Sequence, residues 1–189
     1  MNKGLLIVMS GPSGVGKGTI LAELMDDEEL KIAYSVSMTS RKMREGETNG
    51  VNYWYVTKEE FQAAVERGEL LEWAEFVGNY YGTPVKGVEE LRAQGKNVLL
   101  EIEIEGCKQV KKKCPDALTI YVIPPNMEEL ERRIRGRQTE PEDVIEGRLA
   151  KARIEMEQIN EYSYVVCNET VAEAAEIIRS IILNHMKQA

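Results

Sequence analysis

The chain contains 189 residues, of which 43% are hydrophobic, and this length fits one domain with insertions. Its formal net charge of −8 disfavours a general nucleic-acid binder, because phosphate backbones attract clusters of Lys and Arg. We expect neither a membrane span nor a signal peptide, since long apolar segments are missing and the first strand begins near residue 5.

A glycine-rich turn follows the first predicted strand, which covers residues 5–9. The turn has the phosphate-binding pattern G-x-x-x-x-G-K and reads Gly11-Pro12-Ser13-Gly14-Val15-Gly16-Lys17. Its backbone N–H groups and the N-terminus of the next helix suit an anion, and Lys17 can reach the phosphates of a nucleoside triphosphate. Gly18 stands where Ser or Thr usually supplies a magnesium ligand, and Thr19 follows it. The alternative is a glycine-rich turn without a ligand, which the flanking strand and helix disfavour.

Residues 37–86 depart from a plain alternation of strands and helices. The segment is polar, aromatic and rich in glycine, and Asn49-Gly50 is a strong signal for a tight turn. We predict a small insert of short strands with one helix. Two arginines and two tyrosines in it suit a second phosphate site, although exposed arginines in a loop are also common: Arg41, Arg44, Tyr53 and Tyr81.

The rest of the chain alternates between strands and helices. Apolar runs at 98–102, 118–123 and 164–167 predict further strands, which suit a parallel sheet buried on both faces. Helix starts are marked by a cap residue with Glu three positions later, at Thr57, Asn126, Thr139 and Thr170. Pro141 falls in a predicted first helical turn, and residues 171–186 predict a packing helix. The pattern indicates a three-layer α/β domain.

Three glutamates at alternate positions follow the apolar run Val98-Leu99-Leu100. If the strand continued, Glu101, Glu103 and Glu105 would point to one face at the carboxyl edge of the sheet, where α/β proteins bind ligands. They could hold magnesium through water or bind a base. The alternative is a frayed strand end in solvent.

Clustered arginines at 132–137, with Arg148 on the next predicted helix, suit cations that close over phosphates. A solvated helix face paired with glutamates is the alternative. The three cysteines form no C-x-x-C pair and predict reduced thiols in the cytoplasm: Cys107, Cys114 and Cys167.

Several segments together resemble guanylate kinase. Besides the glycine-rich loop, the most specific are Ser37-x-x-x-Arg41-x-x-Arg44, Glu72-Trp73 and Gly78-Asn79-Tyr80-Tyr81-Gly82. The resemblance implies a P-loop NTPase core with a parallel sheet, formed by residues 1–36, 87–125 and 153–189. It also implies a GMP-binding insert at 37–86 and a lid at 126–152. The implied reaction is ATP-dependent phosphorylation of GMP, and of dGMP, to GDP by direct in-line transfer with Mg²⁺.

The resemblance also implies roles for individual residues. ATP would bind to Gly11, Pro12, Ser13, Gly14, Val15, Gly16, Lys17, Gly18, Thr19 and, near adenine, Asn168. GMP would bind to Ser37, Arg41, Arg44, Tyr53, Glu72, Tyr81, Thr83 and Glu103. The catalytic cations would be Lys17, Arg41, Arg133, Arg137 and Arg148, and magnesium would be served by Glu101, through water, and by Thr19.

Two other functions are compatible with such a fold. One is a catalytically inactive guanylate-kinase-like module that binds protein partners, which the intact glycine-rich loop and Lys17 disfavour. The other is a P-loop kinase of another small phosphorylated acceptor, which Glu72 and the segment at 78–82 disfavour. The sequence leaves open whether the chain forms a homo-oligomer.

Overall fold

The computed structural model describes residues 2–136 and 141–188 and contains two sheets. The larger sheet is built from β1 (Leu6–Ser10), β2 (Ile32–Tyr34), β7 (Asn97–Glu101), β8 (Leu118–Ile123) and β9 (Tyr164–Cys167). The smaller sheet is built from β3 (Met38–Thr39), β4 (Trp54–Tyr55), β5 (Leu70–Phe76) and β6 (Asn79–Pro84). The helices are α1 (Lys17–Met25), α2 (Lys58–Glu66), α3 (Val85–Ala93), α4 (Ile104–Lys113), α5 (Met127–Arg135), α6 (Glu142–Met156) and α7 (Val171–Met186). Short 3₁₀ turns cover Glu28–Leu30 and Ile159–Glu161.

The larger sheet has the order β2-β7-β1-β8-β9, and its strands are parallel. β1 lies in the centre and is buried along its whole length, which explains its unbroken apolar sequence. Alternate residues of β1 belong to different cores: Ile7 packs with α1 and α7, whereas Val8 packs with α3 and α4. Helices therefore cover both faces, and the predicted three-layer α/β architecture is confirmed.

The smaller sheet has the order β4-β3-β6-β5 and lies entirely within residues 37–86. α2 packs on it through Phe61, whose ring stacks on Tyr80 with centroids 5.4 Å apart. The sheet is joined to the core by Gln109 of α4, whose amide hydrogen-bonds the backbone N–H and C=O of Trp73 at 3.1 and 2.9 Å. The division into core, insert and lid stays a prediction.

Most of the predicted helix starts are confirmed by side-chain caps. Thr57 forms a reciprocal capping box with Glu60, and Asn126 and Thr170 each accept a bond from the backbone three residues later. Pro141 is the residue before α6 and does not lie in its first turn, and the cap predicted at Thr139 lies outside the described residues.

Two further expectations concern composition. The three cysteines are free thiols, as predicted from their spacing. Within residues 2–136 and 141–188, none of the helices combines the length and the apolar character needed to cross a membrane.

Candidate active site

The glycine-rich loop runs from the carboxyl end of β1 to the N-terminus of α1. Gly16 caps the helix with φ 101°, and Gly14 also has a positive φ, 87°. A Cβ on Gly16 would lie 2.6 Å from the Asn168 amide nitrogen, and one on Gly14 would lie 2.6 Å from Ile134 Cγ1. Both backbone conformation and space therefore require glycine here, and the loop presents the N-terminus of α1 to the sheet edge.

Two side chains hydrogen-bond the backbone of the glycine-rich loop. The buried Asn168 donates from Nδ2 to the Val15 carbonyl at 2.7 Å. Arg133 donates to the same carbonyl at 3.2 Å and to the Asn168 carbonyl at 3.0 Å, and its Nε contacts Glu129 at 2.7 Å. In this structure Arg133 and Asn168, expected to act on ATP, hold the loop backbone in place.

A cavity of about 290 Å³ opens in front of the loop. Lys17 lines it and donates from Nζ to the carbonyls of Gly11 and Pro12 at 2.6 and 3.3 Å. Burial lowers the pKa of this ammonium, and the nearby carboxylates, Glu101 first among them, oppose the shift. The two direct partners of Lys17 are neutral carbonyl groups, so an anion that replaced them would give the ammonium a charged partner in direct contact.

One face of α6 forms another wall of the same cavity. Arg148, Lys151 and Glu155 line it, at positions i, i+3 and i+7 of the helix. Lys151 Nζ lies 2.9 Å from Glu103 Oε1 and 3.6 Å from Glu155 Oε1. Burial raises the pKa of Glu155. Sequence reasoning identified Arg148 and missed the other two, which the helical spacing from Arg148 could have indicated.

A second cavity, of about 360 Å³, adjoins the first. Among the residues lining it are six of those expected to bind GMP: Ser37, Tyr53, Glu72, Tyr81, Thr83 and Glu103. Glu101, Ile102 and Glu103 line both cavities. Two ligands bound in the two cavities would therefore meet at this shared wall.

Glu72 is the most buried carboxylate of the second cavity, with 6% of its surface exposed. Its Oε1 accepts a hydrogen bond from Thr83 Oγ1 at 2.6 Å, and burial raises the pKa of the carboxyl group. Gly106 leaves room for it, since a Cβ there would lie 3.0 Å from Glu72 Oε2. A carboxylate can accept several hydrogen bonds, so Glu72 can still receive donors from a ligand.

The two arginines expected at the GMP phosphate stand outside the lining of this cavity. Arg41 forms a two-pronged ion pair with Glu47 at 2.8 and 3.0 Å and lies over the ring of Tyr53, 5.5 Å from its centroid. The ion pair lowers the pKa of Glu47 to about 2. Arg44 is exposed, and its backbone N–H donates to Glu47 at 2.7 Å. The ring of Tyr53 meets the ring of Tyr81 edge to face, with centroids 6.1 Å apart. Both tyrosines line the cavity, so Tyr53 connects Arg41 to it.

The three glutamates at and after the end of β7 do not share one strand face, so that prediction is wrong. The strand ends at Glu101. Glu103 is the residue before α4 and makes no side-chain capping bond, and Glu105 lies in the first turn of α4, 2.7 Å from Lys108. Helix N-termini favour carboxylates, so a helix start produces the same acidic sequence. Glu101 and Glu103 nevertheless line both cavities, whereas Glu105 lines the second.

The oxygen ligands that the first cavity offers suit a magnesium ion whose other ligands come mainly from a nucleotide. In the part of the chain that the structure describes, no cluster of three or more His, Cys, Asp or Glu side chains could hold a metal alone. Mg²⁺ commonly binds through one or two carboxylates together with phosphates and water, which Glu101 suits. Thr19 is exposed and does not line the cavity. Arg137 lies outside the described residues.

Comparisons with known proteins agree on one family. The guanylate kinase family model matches residues 3–185. A guanylate kinase from Bacillus cereus is 52% identical over 181 residues, which are 96% of this chain and 88% of the relative. One from Enterococcus faecalis is 53% identical over 180 residues, covering 95% and 88%.

The fold agrees as well. The crystal structure of guanylate kinase from Anaplasma phagocytophilum superposes with a TM-score of 0.73 at 32% identity, covering 98% of this chain and 87% of that one. On its sequence and its fold, the chain belongs to the guanylate kinase family.

Proposed function

We propose that the protein phosphorylates GMP with ATP and releases GDP and ADP. The observation that carries the proposal is the pair of adjoining cavities with a shared wall at Glu101–Glu103. The first cavity, which we call the donor cavity, is built on the glycine-rich loop with Lys17. The second, which we call the acceptor cavity, contains the buried carboxylate of Glu72. The curated relatives that match nearly the whole chain are named guanylate kinases.

The acceptor cavity suits guanine for a chemical reason. Guanine carries donors at N1 and at its 2-amino group, and Glu72 offers a carboxylate that can accept from both. Adenine has an acceptor at N1 and no 2-amino group, so it offers this buried carboxylate neither of the two donors and turns an acceptor toward it. Sites that hydrogen-bond a substrate in this way can reject an analogue by about 10⁴-fold or more.

We assign Ser37 and Thr83 to the guanine O6, which accepts hydrogen bonds. The Thr83 hydroxyl has one proton, which it donates to Glu72 in this structure, so this contact requires the hydroxyl to rotate. We assign Arg41, Arg44, Tyr53 and Tyr81 to the acceptor phosphate. For Arg41, binding the phosphate means exchanging the carboxylate of Glu47 for another two-pronged anion.

The donor cavity suits the triphosphate of ATP. The N-terminus of α1 attracts the phosphates, and Lys17 and Arg148 neutralise charge that develops during transfer. Because the acceptor is already an ionised phosphate, a general base is not needed, and we propose direct in-line transfer. Arg133 and Arg137 are further candidates for neutralising the charge that develops on the phosphates during transfer.

Mg²⁺ supplies charge neutralisation at the donor phosphates when it is bound, and Glu101 is the residue that we propose to hold it, through water. A hydroxyl ligand from Thr19 would require α1 or the loop to turn this side chain toward the cavity. We place the protein in the cytoplasm, where its three free thiols stay reduced and both nucleotides are available.

A coupled assay of ADP release tests the proposal with four acceptors: GMP, dGMP, AMP and UMP. We expect turnover with GMP and dGMP, and turnover lower by about 10⁴-fold with AMP and UMP. No turnover with GMP would favour an inactive interaction module. Similar turnover with AMP would contradict the role of Glu72, and turnover only with other phosphorylated acceptors would favour a kinase of another substrate.

A further inference from the structure

Lys151 stands where the two cavities meet, and the proposed chemistry leaves it without a role. Its Nζ donates to Glu103 Oε1 at 2.9 Å, and Glu103 lines both cavities. Lys151 itself lines the donor cavity, on the same face of α6 as Arg148. One ion pair therefore joins the helix over the donor site to a carboxylate of the acceptor site.

This ion pair is weak enough to be exchanged. The side chains of Lys151 and Glu103 are 57% and 74% exposed, and exposed pairs contribute little to stability because water screens them. The second partner of Lys151 is different: the side chain of Glu155 is only 15% exposed and lies 3.6 Å away. If Glu103 is withdrawn, Glu155 keeps the ammonium of Lys151 inside the donor cavity.

We propose that Lys151 is a positioning residue that couples the two substrate sites. This inference rests on the proposed function, in which Glu103 helps to bind guanine. In this structure Glu103 holds Lys151. When guanine occupies Glu103, Lys151 turns toward the phosphates of the donor, where Lys17 and Arg148 also lie. GMP therefore strengthens the binding of ATP, and by linkage ATP strengthens the binding of GMP by the same factor.

Replacing the ammonium with a side chain of similar length separates this role from a structural one. In Lys151→Met, Glu103 has lost its competing partner, so GMP alone binds no more weakly than to the wild type, and up to about fivefold more tightly. The coupling between the sites falls from about fivefold or more to less than about twofold. A residue needed only for folding would weaken both ligands together. Lys151→Arg keeps the charge and restores the coupling.

Isothermal titration calorimetry measures the coupling. The β,γ-imido analogue of ATP is titrated into the full chain with Mg²⁺, with and without saturating GMP, and GMP is titrated with and without the analogue. The matched control is Lys108→Met on α4, which removes the same charge from a lysine that bonds to Glu105 and Gln158 at 2.7 and 3.0 Å. Lys108 lines neither cavity, so this variant retains the wild-type coupling.

The outcomes separate this inference from the proposed function. Coupling that is equal in the wild type and Lys151→Met overturns the inference, as does an equal loss in Lys108→Met. Loss of GMP affinity in parallel with ATP affinity in Lys151→Met also overturns it, because that result indicates a structural role. If the wild type neither binds nor phosphorylates GMP, the proposed function fails. If it phosphorylates GMP without coupling, only the role of Lys151 fails.

Discussion

Replacing Glu72 with glutamine is expected to weaken GMP binding strongly and to leave ATP binding almost unchanged. The substitution keeps the size of the side chain and retains an oxygen that can accept the hydrogen bond from Thr83, which is 2.6 Å long in the wild type. It replaces the other oxygen with an amide group that donates. Guanine presents two hydrogen-bond donors, N1–H and the 2-amino group. In the variant one of them loses its carboxylate acceptor and faces the N–H groups of the glutamine amide instead.

The structure allows the size of the effect to be worked out. A hydrogen bond to a charged group contributes about 1.5–3 kcal/mol, and a buried donor left unpaired costs about 1–3 kcal/mol. Glu72 is 6% exposed, so water cannot compensate for either loss. The two terms together give about 2.5–6 kcal/mol, and the lower figure corresponds to an increase of about 70-fold in Kd.

Calorimetric titration of GMP and of an ATP analogue into wild type and Glu72→Gln measures both affinities. The matched control is Glu69→Gln, which removes the same charge just before β5, where Glu69 pairs with Arg67 outside both cavities. Thermal denaturation of the free protein excludes misfolding. A Kd for GMP within threefold of the wild type would refute the role of Glu72, and an equal loss of ATP affinity would show that the acceptor site is misplaced.

The same carboxyl group predicts two pH dependences of opposite sign. Burial raises the pKa of Glu72 in the folded protein, so its ionisation is unfavourable there. Stability of the free protein therefore falls as pH rises from the unfolded pKa through the folded one, and at neutral pH Glu72→Gln should melt no lower than wild type. GMP binding needs the ionised form and weakens as pH falls through the folded pKa. The variant retains only the titration of the GMP phosphate.

Three further substitutions test other parts of the structure. Lys17→Met should lower kcat by at least about 10²-fold in the ADP-release assay without changing the melting temperature, and activity near that of the wild type would exclude its assigned role. Asn168→Ala removes the shorter of the two hydrogen bonds to the Val15 carbonyl and leaves the one from Arg133; it should cost about 0.5–1.5 kcal/mol in denaturant unfolding and raise KM for ATP but not for GMP. Val77 has φ 48° and is 80% exposed at the β5–β6 turn, so Val77→Asn should stabilise the protein by about 1 kcal/mol, and a lower melting temperature would contradict that explanation.

The features that sequence reasoning predicted correctly depend on residues close together in the chain. The caps at Thr57, Asn126 and Thr170 each involve the backbone N–H three residues later. The buried strand β1, the glycine-rich turn and α1 likewise follow one another directly in the chain. Such patterns are decided by local conformation, so their signals survive without knowledge of tertiary contacts.

The features that were missed depend on distant contacts. β2 has only three residues, and it is a strand because it pairs with β7 at the edge of the sheet. The glutamates at 101–105 were placed on one strand, because an acidic helix start and an alternating strand end give the same local sequence. Lys151 and Glu155 share a helix face with Arg148, which their spacing indicates, but that this face lines the cavity depends on where α6 lies relative to the glycine-rich loop.

The charges around the donor cavity explain how an acidic protein can bind two polyanions. The net charge is −8, but at physiological ionic strength charges farther than about 8 Å are largely screened, so the nearest side chains decide. Three cations and three carboxylates line this cavity: Lys17, Arg148, Lys151, Glu101, Glu103 and Glu155. The formal charges of these side chains cancel, so phosphates bind more favourably when the carboxylates find other partners. Guanine that hydrogen-bonds Glu103 is such a partner. For this reason we expect GMP in the acceptor cavity to strengthen the binding of ATP phosphates in the donor cavity.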